Sequence, residues 1–444
     1  MRPVIVSPSA CQQKPLRLRN TSRVCIIGGG PAGSFAALHL LKLAQEHGLR
    51  LEVLIFEPRD HSRPGRASCK GCAGILSANM VNSLSSLGLC LPREIIQAEL
   101  RTYVLHVCGQ VTSIEQPNPR RQILSVYRGA GPHRHQGEPL TSFDGYLLSQ
   151  ACAHGAQRIP SRVRSVEWED GPVVKTARER YPADLAVLAT GVNSHVPLSP
   201  AFGYRPPKTS VMVQDEIQRP ANWPDYKVAG FFGQPFGLAF GALVPKGQYL
   251  NVSLLQRDPQ ADTIRHFYRA QNQALERFFS TPPESLCRCT ACIAVGPAQV
   301  YFGDRWVAVG DAAVSRLYKD GIYSAFLTAG TAMRAAVESG IAREDFKRAY
   351  APFCRRLASD NFYGKLLFDL SLHSMQNPLL ARACIECIRL EANLDVSRRT
   401  FSRLMWGMVT GDESYQDLFW LVLKPQTMIQ LGREMLRAAT QRRG

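Results

Sequence analysis

The feature that most constrains the fold is a glycine-rich stretch, GGGPAG, between two apolar runs near the amino end. Residues 24–27 before it are apolar and mostly β-branched, which predicts a buried strand. Residues 32–46 after it predict a helix, and residues 51–56 predict a second buried strand. Strand, glycine loop, helix and strand in this order predict a βαβ unit of the kind that binds a dinucleotide.

Three glycines of this stretch each have a physical task in such a unit. Gly28 allows the tight turn, Gly30 lets backbone approach a pyrophosphate, and Gly33 lets the helix pack close to the strand. The helix begins near Pro31 and Ala32, where free N–H groups and the helix dipole favour negative charge. The stretch therefore predicts a pyrophosphate at the start of the helix.

An acidic residue closes the unit. Glu57 follows the second strand and lies 24 residues beyond Gly33, where a carboxylate can accept hydrogen bonds from a ribose. A lone GxGxxG motif also fits a plain glycine-rich turn, but the ordered set of strand, glycines, helix, strand and acid favours a nucleotide. The chain contains one such motif, so the sequence predicts one firmly bound dinucleotide.

Two distant segments add to this site. Residues 185–189 predict a buried strand that ends in a sharp turn at Thr190 and Gly191. Residues 306–309 predict another strand, which Gly310 and Asp311 follow directly, and Gly321 opens an alanine-rich helix. An aspartate at a strand end can reach a polyol hydroxyl, and a helix start offers further N–H donors.

With these motifs the chain resembles flavoproteins of the para-hydroxybenzoate hydroxylase fold, and among them it is most similar to the geranylgeranyl reductase family. The resemblance covers about residues 22–340 and implies FAD as the cofactor, with Asp311 on its ribityl chain. The motif that usually ends in Asp-Gly-x-x-Ser has Thr190 in place of the aspartate. The cofactor contacts that the resemblance implies are Gly28, Gly30, Pro31, Ala32, Gly33, Glu57, Arg128, Val163, Gly310, Asp311, Gly321 and Ile322.

Two further segments resemble the reductase branch. The stretch KGCAGILS, residues 70–77, is similar to the branch's Lys-Pro-Cys-Gly-Gly segment, which implies that Cys72 lies near the flavin and shapes catalysis. Residues 236–255 resemble the strand pair that lines the substrate cavity, with Pro245, Lys246 and Gly247 at its turn.

The chain also departs from the family pattern. The loop VSRLYKDGI is about two residues shorter than in the family, lacks its proline, and carries Arg316 and Lys319. These two cations either lie beside the flavin, where they stabilise an anionic reduced flavin or hold an acidic substrate, or face solvent. Ala239 replaces the aromatic residue of the cavity strand, so the substrate need not be a geranylgeranyl chain.

The predicted fold class is α/β. We expect a Rossmann-like FAD-binding domain interleaved with a mixed β-sheet substrate domain, plus a helical C-terminal tail. The expected boundaries are a basic N-terminal arm (1–21), FAD-binding segments (22–97, 141–197 and 299–340), substrate-domain segments (98–140 and 198–298) and a helical C-terminal region (341–444).

Composition limits the compartment and the binding partners that we expect. No apolar run is long enough to span a bilayer, and thirteen cysteines without a secretory signal favour a reducing, cytoplasmic compartment. The net charge of +17 favours phosphates or an anionic membrane surface, and no nucleic-acid motif accompanies it. The basic, acid-free first 23 residues fit either a frayed arm or an organellar targeting peptide.

The cysteine clusters leave three interpretations open. Cys69 and Cys72 have CxxC spacing, and Cys287, Cys289 and Cys292 form CRCTAC. They fit buried free thiols, a redox disulfide between Cys69 and Cys72, or a metal site. Because the combined spacing matches no standard metal site and no histidine pair accompanies it, we expect no metal.

The resemblance implies an FAD-dependent oxidoreductase. The best expectation is hydride transfer to an unsaturated, hydrophobic, isoprenoid or lipid-like substrate, with NAD(P)H, another diffusible donor or a redox partner protein as reductant. The alternatives are a monooxygenase acting on an aromatic or polyketide-like substrate, and a non-catalytic flavin-binding interaction protein.

The tail, beyond about residue 341, is expected to pack on the catalytic body or to lie peripherally on an anionic membrane. The predicted membrane anchor is Leu418, Phe419, Trp420 and Leu421.

Overall fold

The computed structural model describes residues 16–64, 73–232, 238–256 and 262–440. Within them the strands are β1 Arg23–Ile27, β2 Glu52–Phe56, β3 Ile75–Leu76, β4 Ile96–Glu99, β5 Thr102–Val107, β6 Gln110–Glu115, β7 Leu124–Val126, β8 Gln157–Ile159, β9 Ser165–Trp168, β10 Pro172–Lys175, β11 Arg180–Pro182, β12 Leu185–Leu188, β13 Thr209–Gln218, β14 Lys227–Phe232, β15 Leu238–Lys246, β16 Tyr249–Gln256, β17 Cys289–Ala294, β18 Phe302–Gly303 and β19 Trp306–Ala308.

The α-helices in the same part of the chain are α1 Pro31–Glu46, α2 Ala78–Leu84, α3 Phe143–Ala153, α4 Thr263–Ala270, α5 Asn272–Leu275, α6 Gly321–Arg334, α7 Arg343–Ala349, α8 Ala351–Gln376, α9 Pro378–Glu391, α10 Thr400–Thr410, α11 Tyr415–Val422 and α12 Pro425–Thr440. The predicted βαβ unit is confirmed, since β1, α1 and β2 each begin within one residue of the expected position.

The first sheet is Rossmann-like, with strand order β18-β19-β12-β1-β2-β8. All its strands run parallel except β18, and β1 pairs with both β2 and β12, which places the glycine loop at the centre of the sheet's carboxyl edge. Helices α1, α3 and α6 cover one face through buried apolar residues such as Phe35 and Phe326. A small sheet, β11-β10-β9, covers the other face through Val166 and Val174.

The second sheet has seven strands in the order β17-β13-β16-β15-β14-β5-β6 and is mixed, because β14 and β5 run parallel. Helices α4 and α5 cover one face through Phe267 and Leu275. The C-terminal helices cover the other face, where Trp406 packs edge-on against Tyr103 of β5 at 5.5 Å between ring centres. The predicted mixed sheet is therefore present, and its second face is closed by the chain's own C-terminal region.

The hairpin between β15 and β16 differs from the expectation at its turn. Pro245 and Lys246 are the last residues of β15, and Lys246 pairs with Tyr249, so the turn consists of Gly247 and Gln248. Gly247 has a φ of +61°, which a two-residue hairpin of this kind requires. As a result Lys246 points into the protein and is buried.

The C-terminal helices pack on the body through one face. In α11, Tyr415, Leu418 and Leu421 are buried, while Trp420 is exposed. The predicted anchor is therefore wrong for Leu418 and Leu421, because these two side chains face the protein core. None of the described helices is both long enough and apolar enough to cross a bilayer.

Candidate dinucleotide site

The glycine loop is shaped by contacts that exclude side chains. Gly28 has a φ of +108°, and its N–H donates to the Phe56 carbonyl at 3.0 Å. A Cβ placed on Gly33 would lie 1.8 Å from the Gly28 carbonyl oxygen, so helix α1 approaches the loop as closely as glycine permits. A Cβ on Gly28 would in turn lie 2.7 Å from the Ala189 carbonyl oxygen, where β12 ends.

Glu57 is held by two backbone N–H groups. Its Oε2 accepts from Gly29 at 2.9 Å, and its Oε1 accepts from Arg59 at 3.0 Å. A Cβ on Gly29 would lie 2.6 Å from the Glu57 Cβ, so Gly29 is a further required glycine that sequence reasoning did not single out. Because each carboxylate oxygen has a second lone pair, the fixed Glu57 can still accept a hydroxyl.

Arg128 lies over the start of α1 in a bidentate ion pair with Asp144. Its Nη2 is 2.8 Å from Asp144 Oδ2, and its Nε is 3.1 Å from Oδ1. A Cβ on Gly30, the N-cap of α1, would lie 3.6 Å from Arg128 Nη2. Ser142 caps helix α3, which carries Asp144, and its hydroxyl donates to the Arg128 carbonyl. The guanidinium is thus fixed beside the positive end of α1, where a pyrophosphate would bind.

The turn after β19 brings Asp311 to the same edge. A Cβ on Gly310 would lie 2.7 Å from the Ala32 Cβ, so this turn packs directly on the start of α1. A Cβ on Gly321 would lie 3.7 Å from Asp311 Oδ1, which places the carboxylate at the start of α6, followed by Ile322. Burial raises the pKa of Asp311, while a hydrogen bond from Ser315 and the Arg128 charge partly oppose the shift.

His61 is a residue at this edge that sequence reasoning missed. It is buried, and neither ring nitrogen has a hydrogen-bond partner among the described residues. Burial lowers its pKa, against the opposing charges of Asp144 and Glu57. A neutral imidazole with two unsatisfied nitrogens between these carboxylates is the kind of group that a polar ligand completes. No motif marks His61, because only the packing of its neighbours places it here.

The other residues predicted from the sequence lie at different places in the chain, and two of them are not described. Val163 is half-buried in the loop between β8 and β9, against the core beneath β2. Thr190 follows β12 beside Gly28. Cys72 and Cys69 lie outside the described residues, and the nearest described glycine, Gly74, packs its backbone against Val126. No cluster of three metal-ligating side chains occurs in the described part of the chain.

Arg316 and Lys319, the two cations of the loop 314–320, have different partners. Arg316 is directed toward the C-terminal region, because its guanidinium donates to the carbonyls of Gly411 and Glu413 and lies 4.0 Å from the centre of the Tyr415 ring. Lys319 instead lies 4.6 Å from the centre of the Phe240 ring, on the substrate sheet. The expectation for Arg316 is therefore corrected: it ties the loop to the C-terminal region.

The convergence of these elements agrees with comparisons to known proteins. Residues 25–193 match the model of an FAD-NAD(P)-binding family. The chain has the fold of the FAD-dependent oxidoreductases. No curated protein sequence matches it significantly.

Three solved structures illustrate the likeness. A geranylgeranyl bacteriochlorophyll reductase-like protein from Thermoplasma acidophilum is 17% identical, with a TM-score of 0.58 over 94% of this chain and 100% of that one. A flavoprotein/dehydrogenase from Cytophaga hutchinsonii is 14% identical, with a TM-score of 0.62 over 95% and 100%. A p-nitrophenol 4-monooxygenase from Pseudomonas putida is 14% identical, with a TM-score of 0.58 over 89% and 100%. A reductase-like protein and a monooxygenase therefore share this fold.

The residues at the edge fit FAD. The unsatisfied His61 ring, the fixed Glu57 carboxylate and the Arg128 guanidinium surround the open start of α1, and Asp311 lies on the far side. Together they offer acceptors for hydroxyls and a cation for phosphate.

Proposed function

We propose that this protein is an FAD-dependent reductase that delivers hydride to an unsaturated, hydrophobic substrate. The observation that carries the proposal is that the segment between Asp311 and Gly321 carries Tyr318, whose ring contacts Phe240 of the substrate sheet. The reductase-like neighbour, which matches this chain over 94% of its length, supports the same assignment.

The chain's own residues would divide the binding of FAD between them. The N–H groups at the start of α1 and the Arg128 guanidinium would hold the pyrophosphate. Glu57 and His61 would bind the adenosine end, and Asp311 would accept a ribityl hydroxyl. FAD bound in this way would supply two-electron transfer chemistry to a substrate beside it.

An aromatic wall lies where the substrate sheet meets the loop 314–320. Phe240 of β15 lies 6.1 Å from Tyr318 and 6.3 Å from Phe368 between ring centres, and Tyr318 lies 5.0 Å from Phe368. Since Phe368 belongs to α8, the C-terminal region contributes to this wall and excludes water from it. Ala239, partly exposed beside Phe240, leaves room where the family has a large aromatic ring. These residues favour a hydrophobic substrate that differs from the family's.

NAD(P)H, another diffusible donor or a redox partner protein would supply the electrons. The proposal also keeps the role of Cys72 that the resemblance implies, next to the flavin. The adjoining described segment supports such a position, because Gly74 packs beside Lys246 of the substrate sheet, with the Nζ 3.2 Å from a Cβ built on Gly74.

The runner-up is an FAD-dependent monooxygenase, favoured by the likeness to the p-nitrophenol 4-monooxygenase. An anaerobic assay separates the two, because a monooxygenase needs oxygen and a reductase does not. We expect dithionite-reduced protein to saturate a double bond of an isoprenoid or lipid probe without oxygen. Turnover only in air, with an oxygenated product, would overturn the reductase in favour of the monooxygenase. A protein that binds FAD but shows no turnover in either atmosphere would fit the non-catalytic alternative.

We further propose that the protein docks on anionic membranes through an α8–α11 apolar face, made of Phe362, Leu366, Leu370 and Trp420. The first three lie four residues apart on α8 and form one exposed stripe. Phe362 and Trp420 are 60% and 53% exposed, and a chain of ring contacts through Tyr363 and Phe419 joins them.

The net charge of the protein indicates which partner binds to this face. A net charge of +17 on every copy opposes self-association and favours an anionic bilayer. The exposed Lys365 and Lys424 lie next to the apolar residues Leu366 and Leu423, which is the arrangement of an interfacial anchor.

A further inference from the structure

Lys319 lies in a backbone segment that is locally strained. Tyr318 and Asp320, on either side of it, both have left-handed backbone, with φ values of 62° and 59°. Such a conformation costs a non-glycine residue about 1–2 kcal/mol, so it persists only where surrounding contacts enforce it. The segment directly precedes α6, whose first residue, Gly321, lies beside Asp311.

Buried groups of the C-terminal region enforce this conformation. The Asn361 side chain accepts from the Leu317 N–H at 2.8 Å and donates to the Ser315 carbonyl at 2.8 Å. The Tyr415 hydroxyl donates to the Leu317 carbonyl at 2.6 Å. These two side chains are almost fully buried, so the loop that presents Lys319 is rigid.

The Lys319 ammonium has no carboxylate partner among the described residues. It lies 4.6 Å from the centre of the Phe240 ring. The neighbouring Asp320 carboxylate is directed elsewhere, since it bonds Ser77 and lies near Arg316. Burial lowers the pKa of Lys319 to about 8, and no acidic group offsets that shift. Lys319 is half-buried and no acid of the described residues compensates its charge, so the ammonium remains available to an anionic ligand.

The surroundings indicate what would compensate it. Phe240, Tyr318 and Phe368 form an aromatic wall beside the ammonium, and this wall suits an apolar body. The other cation of the loop, Arg316, is already engaged by carbonyls of the C-terminal region. Lys319 is then the one cation of this described loop left for a ligand, and one positive charge matches one negative charge, such as a carboxylate, better than a doubly charged phosphate.

We propose that Lys319 binds the carboxylate of an apolar substrate beside Phe240. This inference rests on the proposed function, because it assumes that the substrate binds between the dinucleotide edge and the substrate sheet. It narrows the substrate class to hydrophobic acids.

The test measures equilibrium binding to the FAD-loaded, oxidised protein, without reductant. Octanoate and cinnamate are titrated against their neutral amides, with flavin absorbance and calorimetry as readouts. We expect each acid to bind about tenfold tighter than its amide. Lys319→Met should abolish this preference while FAD content and thermal stability remain, and Lys319→Arg should keep most of it. Lys347→Met, on the exposed side of α7, is the matched control.

The pH dependence gives a second readout. A lysine is charged below its pKa, so acid binding should be strongest below about pH 8 and should weaken as pH rises through that value. Equal affinities for acids and amides, no binding of either acid at millimolar concentration, or an unchanged preference in Lys319→Met would overturn the proposal. Failure of the proposed function is distinct, since it would appear as missing FAD or absent turnover in the separate assays.

Discussion

The Arg128 guanidinium and the Asp144 carboxylate form a bidentate ion pair beside the N-cap of α1, with 2.8 Å between Nη2 and Oδ2. Asp144 is almost fully buried and Arg128 is about one quarter exposed. The two partners are 16 residues apart in sequence, and the pair lies beside the glycine loop, since a Cβ on Gly30 would be 3.6 Å from Arg128 Nη2. It therefore sets the direction in which the guanidinium faces the proposed pyrophosphate.

Asp144→Asn should lower FAD affinity at least tenfold, because Arg128 loses the charge that orients it. Leaving a partly buried guanidinium without its carboxylate should also cost about 2–3 kcal/mol of unfolding free energy. Fluorescence titration of apoprotein with FAD measures the first effect, and denaturant unfolding measures the second. Glu344→Gln, at an exposed site on α7, is the control and should change neither. Unaltered FAD affinity in Asp144→Asn would remove the pair from the site.

Two glycine variants should separate binding from folding. A Cβ on Gly30 meets no atom of the other described residues closer than 3.6 Å, so Gly30→Val should fold but fill the space of the pyrophosphate and give colourless protein. A Cβ on Gly33 would lie 1.8 Å from the Gly28 carbonyl oxygen, so Gly33→Ala should be poorly folded.

Gly432 on α12 provides the control, since a Cβ there has no neighbour within 4 Å in the described part of the chain. Gly432→Ala should be neutral or stabilising by about 0.5–1 kcal/mol, because alanine favours a helix over glycine. Circular dichroism and flavin content report on all three variants. Gly30→Val that still binds FAD would contradict the assigned pyrophosphate position.

Cys72→Ser should keep FAD but reduce turnover per bound flavin, if the thiol shapes the approach of the substrate. A plain buried thiol would lose only stability in this variant. Unchanged turnover with a lower melting temperature would therefore reject the functional role. Cys90→Ser, at an exposed cysteine, is the control.

Acid should destabilise the protein through buried histidines. Burial lowers the pKa of His106 to about 4, and the Arg277 charge adds to the effect. The unfolded chain binds a proton near pH 6.5, so stability is full above that value and falls as pH drops toward 4. The melting temperature should therefore be lower at pH 5 than at pH 7.5, and His106→Phe should reduce that difference. The exposed His373→Phe should not. An equal drop in His106→Phe would rule out this histidine as a cause.

The sequence predicts best what depends on local geometry. The positions of β1, α1 and β2 follow from apolar runs and glycines that are adjacent in the chain. The contacts of His61 and the burial of Gly29 against Glu57 could not be predicted, because they arise when segments far apart in sequence pack together. The same holds for Arg316, whose direction is set by carbonyls about 95 residues later.

The C-terminal helices show a second limit of prediction from the sequence. Helical spacing groups Tyr415, Leu418 and Leu421 on one face and leaves Trp420 on another, but both faces contain apolar residues. Spacing alone does not say which of them meets the core. The structure shows which face of α11 meets the core, and the exposed apolar surface is the α8–α11 apolar face.

That face makes the membrane proposal testable. We expect the protein to sediment with vesicles containing phosphatidylserine at low salt and to be released by high salt, since the attraction is largely electrostatic. The double variant Phe362→Ser and Trp420→Ser should bind several-fold more weakly, because both apolar anchors are removed from a face where they are more than half exposed. Val111→Ser, at an exposed apolar residue on β6 of the substrate sheet, should bind like the unaltered protein. Protein that stays in the supernatant with anionic vesicles at low salt would reject membrane docking, and it would weaken the case for a lipid-like substrate as well.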